Sequence, residues 1–358
     1  MAANDFDKYS VEAFCACHPS TQFLHGPIEE LSPKDFLKTT GLHPGELDCL
    51  IGGPPCQAFS VYNHQRGLHD ERSGLFREYL RLVAGLKPKF VVMENVTGIT
   101  SVGSGRAVEE IHRGLKKLGY YVESRILKAE EFGVPQERRR IFFIGSRVSD
   151  EIPWPTPTHF GNSLDVFAKG EPFVSVWDAI GDLPELKLGD GFEILEYDKK
   201  PFSKYQLLMR NGAKYLYNHV SPQLSEINLK RIEYIPPGGS WRDIPERLLP
   251  AGMKRARRSD HTKRYGRLHP SGLACTILTK CDPHWGAYIH PKQDRALTVR
   301  EAARLQSFPD RIRFFGPRVE QYRQVGNAVP PLLAKAVAEG IAEMLVSNQA
   351  LSGAFSAH

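Results

Sequence analysis

The chain has 358 residues, 41% of them hydrophobic and 25% charged, which indicates a globular protein and excludes the disordered and fibrous classes. At a typical domain size of about 100 to 200 residues, this length accommodates two packed domains. No apolar run approaches the roughly 20 residues that span a bilayer, and the first residues are acidic where a signal peptide would be basic. We therefore expect an intracellular protein that does not contact membranes.

Six cysteines are scattered along the chain without the paired spacing of a zinc site or the density of a disulfide scaffold. We expect reduced thiols and no metal site. The formal net charge is +6. Basic residues concentrate between positions 254 and 267. This run either binds a phosphate backbone or is a loop that faces solvent.

The first 150 residues alternate between short apolar runs and helical periodicity, which is typical of a parallel sheet with crossover helices. Apolar runs at 47–51, 90–93 and 141–144 predict strands, and helical spacing at 75–86 and 108–118 predicts helices. We assign residues 1–150 to an α/β catalytic domain.

From residue 152 onward the sequence is rich in proline and irregular, which predicts a smaller, loop-rich domain over residues 151–320. Helical spacing returns at 299–306. Pro330-Pro331 then begins a last helix, and we assign 321–348 to a C-terminal helical segment that returns to the catalytic domain.

Reactive side chains stand beside three of the predicted strands. Cys56 follows the first strand, Glu94 ends the second, and Arg138 and Arg140 precede the third. In open α/β sheets, ligands bind at the carboxyl ends of strands, so these groups are expected to share a crevice. A nucleophilic thiol, a carboxylic acid and a guanidinium together suit attack on an electron-poor ring. Each residue alone has a plainer explanation, as a buried thiol, a helix cap or a solvated charge.

Five blocks in this order resemble the cytosine-C5 DNA methyltransferase family, and five ordered blocks are far more specific than one short motif. The blocks are 53–60 (GPPCQAFS), 94–96 (ENV), 136–140 (QERRR), 295–310 (RALTVREAARLQSFPD) and 324–331 (QVGNAVPP). The resemblance implies a Rossmann-like class I S-adenosylmethionine-dependent methyltransferase domain with a smaller, loop-rich target-recognition domain. It also implies methyl transfer to carbon 5 of a cytosine flipped out of double-stranded DNA, because that carbon cannot be attacked within the base stack.

The resemblance implies roles for the catalytic residues. Cys56 attacks C6 of cytosine, Glu94 acts at N3, and Arg140 holds Glu94 in place with Arg138 nearby. The stretch 57–73 resembles the mobile loop that closes over the flipped base. Within it, we assign DNA contacts to Gln57, Ser60 and Arg72, and we assign the phosphate of the flipped nucleotide to Thr276.

The cofactor implied by the resemblance is S-adenosylmethionine. Asp5 matches the acidic residue that binds the ribose hydroxyls, and Phe6 the aromatic residue that stacks on adenine. Four further residues are expected to flank the same pocket: Ile28, Pro55, Asn327 and Ala328.

Two features depart from the family. The glycine-rich FxGxG turn expected about 20 residues ahead of Asp5 is absent, and Gly26-Pro27-Ile28 stands where the family usually has Gly-Asp-Ile. The side chain of proline cannot accept a hydrogen bond from the adenine amino group. Our hypothesis is that a separate partner chain or an upstream segment supplies the FxGxG turn. The alternative is that the turn is lost and the protein does not methylate.

For DNA binding beyond the loop, we select Lys254, Arg255 and Arg258 from the basic run, and Lys280 from the turn at 279–282. Lysine in such positions is expected to contact phosphate more than bases. We expect a cytoplasmic, nucleoid-associated protein of prokaryotic type.

Three alternatives stay open. A cytosine methyltransferase acting on transfer RNA shares some blocks, but carries a Cys-Phe-Thr signature where this chain has Thr97-Gly98-Ile99. A DNA-binding subunit without turnover is the second, although the joint presence of Cys56 and Glu94 argues against it. A cysteine hydrolase is the weakest, since no histidine stands in a motif that marks it as a base for Cys56.

Overall fold

The computed structural model describes residues 1–54, 75–161 and 170–355. Ten strands and eleven helices lie in this part of the chain. The strands are β1 Ala2–Asp5, β2 Gln22–His25, β3 Cys49–Gly52, β4 Phe90–Val96, β5 Tyr121–Lys128, β6 Arg139–Ser146, β7 His159–Phe160, β8 Glu171–Pro172, β9 Gly191–Leu195 and β10 Leu216–Val220. The helices are α1 Lys8–Cys17, α2 Pro33–Thr40, α3 Leu75–Leu86, α4 Arg106–Lys117, α5 Val176–Ile180, α6 Lys204–Arg210, α7 Glu226–Ile232, α8 Ala251–Lys254, α9 Val299–Leu305, α10 Arg318–Asn327 and α11 Pro331–Phe355.

The main sheet has the strand order β3-β4-β6-β5. β3 and β4 are parallel, but β6 runs antiparallel to both β4 and β5. The expectation of a purely parallel sheet is therefore wrong for β5 and β6. In this register Val96 at the end of β4 pairs with Arg140 at the start of β6. Because β6 is antiparallel to β4, the first residues of β6 lie at the edge of the sheet where β4 ends.

The apolar side chains of the main sheet alternate between two buried faces, because successive residues of a strand point to opposite sides. On β4, Val91 and Met93 pack in the cluster that holds α3 and α4 residues, whereas Phe90 and Val92 pack with residues of α11. Burial on both faces explains why these strands read as continuous apolar runs.

A separate two-stranded parallel sheet is formed by β1 and β2, with Asp5 opposite His25. Within the described residues, neither strand pairs with the main sheet. Two other contacts hold this part of the chain in place. Arg81 of α3 donates from Nη2 to the carbonyls of Ile28 (2.9 Å) and Leu31 (2.8 Å). Gly85 lies directly against Pro33 of α2, where a Cβ atom would stand 2.4 Å from the proline ring.

The second half of the chain is organised around α9, every residue of which is buried. Arg304 of α9 pairs with two buried carboxylates, at 2.6 Å from Asp310 and 3.1 Å from Asp182. α10 contributes Tyr322 and Val325 to the same core. The predicted boundary between residues 320 and 321 falls inside α10, while the boundary at 150 falls in the loop after β6. Our division into domains stays a prediction.

No helix in the described part of the chain is long and apolar enough to cross a membrane. Nor do the described histidine, cysteine and carboxylate side chains form any group of three or more that could hold a metal ion.

Candidate active site

Glu94 and Arg140 form a largely buried ion pair at the shared edge of β4 and β6. Nε of Arg140 lies 2.8 Å from Oε1 of Glu94, and the two side chains are 13% and 15% exposed. Oε1 is buried and has no well-aligned hydrogen-bond donor among the described residues. The antiparallel pairing of β6 therefore produces the contact between these two residues that the resemblance implied.

Burial sets the protonation of this pair. It is the largest influence on Glu94 and raises the pKa of its carboxyl above the ordinary value, while the charges of Arg140 and Arg138 oppose the rise. Burial also lowers the pKa of Arg140, against the attraction of Glu94. A carboxyl with a raised pKa retains its proton at higher pH and suits the role of a general acid.

The residues that lead to Cys56 lie against the end of β4. Asn95 donates from Nδ2 to the carbonyl of Pro54 at 3.1 Å. A Cβ atom on Gly53 would stand 3.3 Å from Oε2 of Glu94, so glycine leaves the carboxyl its space. Five predicted site residues lie outside the described residues: Pro55, Cys56, Gln57, Ser60 and Arg72.

A polar cavity of about 430 Å³ opens beside Arg140. It is lined by Thr97, Glu130, Glu137, Arg139, Arg140 and Thr276. Thr276 reaches it because residues 274–277 run alongside 135–137, with the amide of Glu137 donating to the carbonyl of Ala274 at 2.8 Å. The hydroxyl of Thr276 donates to the carbonyl of Glu137 at 2.7 Å. The structure thus brings Thr276 and Arg140 together across 136 positions of sequence.

Arg138 occupies a different environment from Arg140. Its side chain is 1% exposed and donates to three carbonyls: Ile277 at 3.0 Å, and Gly326 and Ala328 at 2.9 Å each. Burial lowers its pKa to about 9, so the guanidinium remains protonated at neutral pH. These contacts are those of a clamp between β6, the Thr276 segment and the end of α10. The catalytic role assigned to Arg138 stays a prediction.

The predicted cofactor residues lie on three segments. Asp5 ends β1 and its Oδ1 accepts the amide of Asp7 at 2.9 Å, while the ring of Phe6 is 67% exposed. Arg323 of α10 forms ion pairs with Asp7 and Glu320. Asn327 stands one helical turn after Arg323, so this contact draws the Asp5 turn toward the end of α10.

The two other described cofactor candidates make backbone contacts. Ile28 is half-buried in a short 3-10 helix, and its carbonyl accepts from Arg81. The carbonyl of Ala328 accepts from Arg138 and, at 2.7 Å, from Gln306.

The basic run is mostly open to solvent. Lys254, Arg255, Arg258 and Lys280 are all exposed. Arg267, at the end of the run, is an exception, since it is 7% exposed and bonds to Asp294 and to the carbonyl of Ile235. Including Arg267 in a phosphate-binding run was therefore wrong, because its guanidinium is buried and bonds to other residues of the protein.

Sequence reasoning missed Gln136 and Arg323. Gln136 is fully buried; it donates to Gln306 at 2.6 Å and to the carbonyl of Leu305, and it accepts the amide of Ile277. It therefore joins the block at 136–140, the block at 295–310 and the segment at 277, which are far apart in sequence. Gln136 belongs to a quoted block, which was an available signal, whereas nothing in the sequence marks Arg323 as a partner of Asp7.

The model of the family "C-5 cytosine-specific DNA methylase" matches residues 1–343. The chain is 32% identical to the Type II methyltransferase M.AgeI of Thalassovita gelatinovora, over 95% of this chain and 93% of that protein. It is 35% identical to the Type II methyltransferase M1.HphI of Haemophilus parahaemolyticus, over 95% and 80% of the two chains.

Two solved structures share the fold. One is a candidate DNA modification methyltransferase encoded within an E. coli prophage, with a TM-score of 0.72 and 24% identity, covering 96% of this chain and 92% of that one. The other is Spodoptera frugiperda DNMT2, with a TM-score of 0.57 and 16% identity, covering 95% and 91%. At these identities the likeness shows the fold alone, and that fold is of the class I S-adenosylmethionine-dependent type.

Proposed function

The chain belongs to the C-5 cytosine-specific DNA methylase family, and we propose that Cys56, Glu94 and Arg140 carry out methyl transfer to carbon 5 of a flipped cytosine in duplex DNA. The observation that supports this assignment most strongly is the Glu94–Arg140 pair. It combines a carboxyl of raised pKa with a cavity whose rim also holds Thr276.

In the proposed mechanism, Sγ of Cys56, as thiolate, forms a bond to C6 of the ring while Glu94 delivers its proton to N3. Arg140 keeps the carboxyl oriented toward the ring. S-adenosylmethionine, when bound, supplies the methyl group for the carbon 5 made electron-rich by this addition. Loss of the C5 proton to water then breaks the carbon–sulfur bond, and the N3 proton returns to Glu94. Thiolate and acid are thereby restored.

Trapping on DNA that contains 5-fluorocytosine tests this mechanism. Fluorine at C5 cannot leave as a proton would, so the bond between the cysteine sulfur and C6 cannot break. An enzyme that attacks and methylates the ring therefore stays covalently attached to the DNA. With S-adenosylmethionine and a peptide that carries the FxGxG turn both supplied, we expect the parent and a Cys15→Ser control to be trapped, and Cys56→Ser and Glu94→Gln not to be. Trapping of Cys56→Ser at the parental rate would overturn the assignment. A parent that binds DNA but is never trapped would favour the alternative of a subunit without turnover.

The cofactor residues fit an adenosyl ligand in part. An acidic side chain at the carboxyl end of β1 and an exposed aromatic ring beside it suit ribose hydroxyls and a purine face. We propose that Asp5 and Phe6 make these contacts, with Ile28 and Pro55 lining the pocket, and Asn327 and Ala328 at its far side. Pro27 offers no side-chain acceptor for the adenine amino group.

We further infer that a parallel strand from outside the described residues pairs with both β1 and β3. Within those residues each of the two strands has a neighbour on one side only, and Ile51 of β3 is 74% exposed. An unpaired strand edge exposes backbone groups that need partners. We propose that a separate partner chain or another segment of the protein supplies this strand together with the FxGxG turn.

Calorimetry of S-adenosylmethionine binding to this chain alone tests that inference. We expect weak binding, strengthened when a peptide with an apolar strand and a glycine-rich turn is added. Tight binding to the chain alone would refute the need for the additional strand.

For DNA binding, we propose that the exposed run Lys254, Arg255 and Arg258, together with Lys280, contacts the phosphate backbone of the duplex. Neutralising the first three to glutamine is expected to weaken binding to every sequence and to reduce the slope of affinity against salt by about 0.9 per lost phosphate contact. The same change at Lys335 and Lys38 is the control. An unchanged slope would contradict the assignment. A duplex-binding enzyme of this kind is expected at the nucleoid.

Competition between duplex DNA and transfer RNA as methyl acceptors separates the main proposal from the RNA alternative. The Type II methyltransferase relatives over nearly the whole chain favour DNA.

A further inference from the structure

An exposed tryptophan stands on the loop that follows Thr276. Trp285 is 53% exposed, and all three other tryptophans of the chain are more buried. The guanidinium carbon of Arg264 lies 5.2 Å from the centroid of its ring, and the His284 ring stands nearly perpendicular to it with the two centroids 5.2 Å apart. A large aromatic side chain left open to solvent beside a cation is suited to contact with a ligand that is both aromatic and anionic.

The tryptophan is held by a rigid support. The amide of Trp285 donates to the carbonyl of Asp282 at 2.9 Å, and the amide of His284 to Oδ1 of Asp282 at 2.8 Å. The His284 ring packs edge-on against Tyr265 at 5.7 Å, and Tyr265 is part of a buried apolar cluster. Because the turn is already ordered, contact through Trp285 costs little further conformational entropy.

This turn is linked to the candidate active site through the adjacent residues Lys263 and Arg264. Arg264, which flanks the Trp285 ring, follows Lys263, whose ammonium lies 3.8 Å from the carboxylate of Glu137. Glu137 lines the cavity together with Arg140 and Thr276. Through these two neighbouring cations, Trp285 is linked to the rim of the cavity that is proposed to receive the flipped base.

We propose that Trp285 contacts the bases next to the flipped cytosine, with Arg264 binding a neighbouring phosphate, and that this contact contributes to the choice of DNA sequence. The inference rests on the proposed function. Stacking or groove contact by an aromatic ring is worth about tenfold in affinity per base, and an apolar edge distinguishes bases that carry a methyl group.

Tryptophan fluorescence tests the contact directly on the full chain. Duplex DNA with cytosines in randomised contexts is titrated into the parent, Trp285→Phe and the control Phe192→Ala, which removes a 70% exposed aromatic ring on β9. Anisotropy of labelled duplex reports binding in parallel. We expect strong quenching in the parent and in Phe192→Ala, and loss of most quenching in Trp285→Phe although it still binds.

Sequencing of products methylated in the same pool, with S-adenosylmethionine and a peptide that carries the FxGxG turn added, gives the second readout. The measured quantity is the ratio of methylation in the favoured sequence context to methylation in other contexts. We expect this ratio to be about tenfold lower for Trp285→Ala than for the parent. Quenching that persists in Trp285→Phe, or a context preference that is unchanged in Trp285→Ala, would overturn this inference alone. A parent that does not bind the duplex at all would overturn the proposed function as well.

Discussion

Replacing Arg138 with methionine tests whether this residue is a clamp or a catalytic group. The change keeps an unbranched side chain of similar length and removes the guanidinium. Arg138 donates to the carbonyls of Ile277, Gly326 and Ala328, and only the last has a second side-chain donor, from Gln306. Two buried carbonyls would therefore lose their side-chain donor.

The expected loss of stability can be derived from these contacts. A hydrogen bond to a charged group contributes about 1.5 to 3 kcal/mol, so two lost bonds amount to roughly 3 to 6 kcal/mol. Methionine offsets part of this loss, because a buried guanidinium carries a desolvation cost of several kcal/mol that the variant no longer bears. We expect a net destabilisation of about 3 kcal/mol, which is a large share of a typical stability of about 5 to 15 kcal/mol. With an unfolding entropy of about 2.1 cal/mol/K per residue over 358 residues, the melting temperature should fall by roughly 4 °C.

Thermal unfolding followed by circular dichroism measures this change, with Arg139→Met as the matched control. Arg139 is adjacent but exposed, and its replacement should cost within about 0.5 kcal/mol. If Arg138→Met melts together with Arg139→Met, the clamp is refuted. If it melts like the control but loses turnover, the catalytic role predicted from sequence is supported instead.

Three further changes test the site. Arg140→Met removes a positive charge that holds down the pKa of Glu94, so the pKa of Glu94 should rise further in this variant. Activity needs the protonated acid and is lost as the pH rises through that pKa. The alkaline limb of the pH–rate profile should therefore move to higher pH. A limb that stays in place or moves down would contradict this. Arg323→Met breaks a partly exposed ion pair with Asp7 and should weaken S-adenosylmethionine binding about threefold in calorimetry, with Arg318→Met unaffected; equal affinities would refute it. Gly53→Ala puts a methyl group against the Glu94 carboxyl and should lower initial rates by about ten- to a hundredfold at an unchanged melting temperature, so a parental rate would exclude this crowding.

The sequence alone predicted which residues carry the chemistry, and it located most of the central elements. Apolar runs and helical spacing located β4, β6, α3, α4 and α9 to within a few residues, because burial on both faces of a sheet leaves an unbroken apolar pattern. The order of the five blocks between Gly53 and Pro331 predicted the family, which the comparisons confirm. Elements whose side chains are only half-buried, such as β1, β2 and β5, were missed because their periodicity is weak.

Only the tertiary structure decided how these residues meet. Periodicity reports burial and not strand direction, so the antiparallel pairing of β6 that brings Arg140 to Glu94 could not be predicted. The type of a residue tells its charge but not whether it is buried. Arg138 and Arg267 are buried and donate to carbonyls, whereas Arg255 and Arg258 face solvent. The partners of a charged side chain are set by contacts between residues far apart in sequence, and those contacts exist only once the chain has folded.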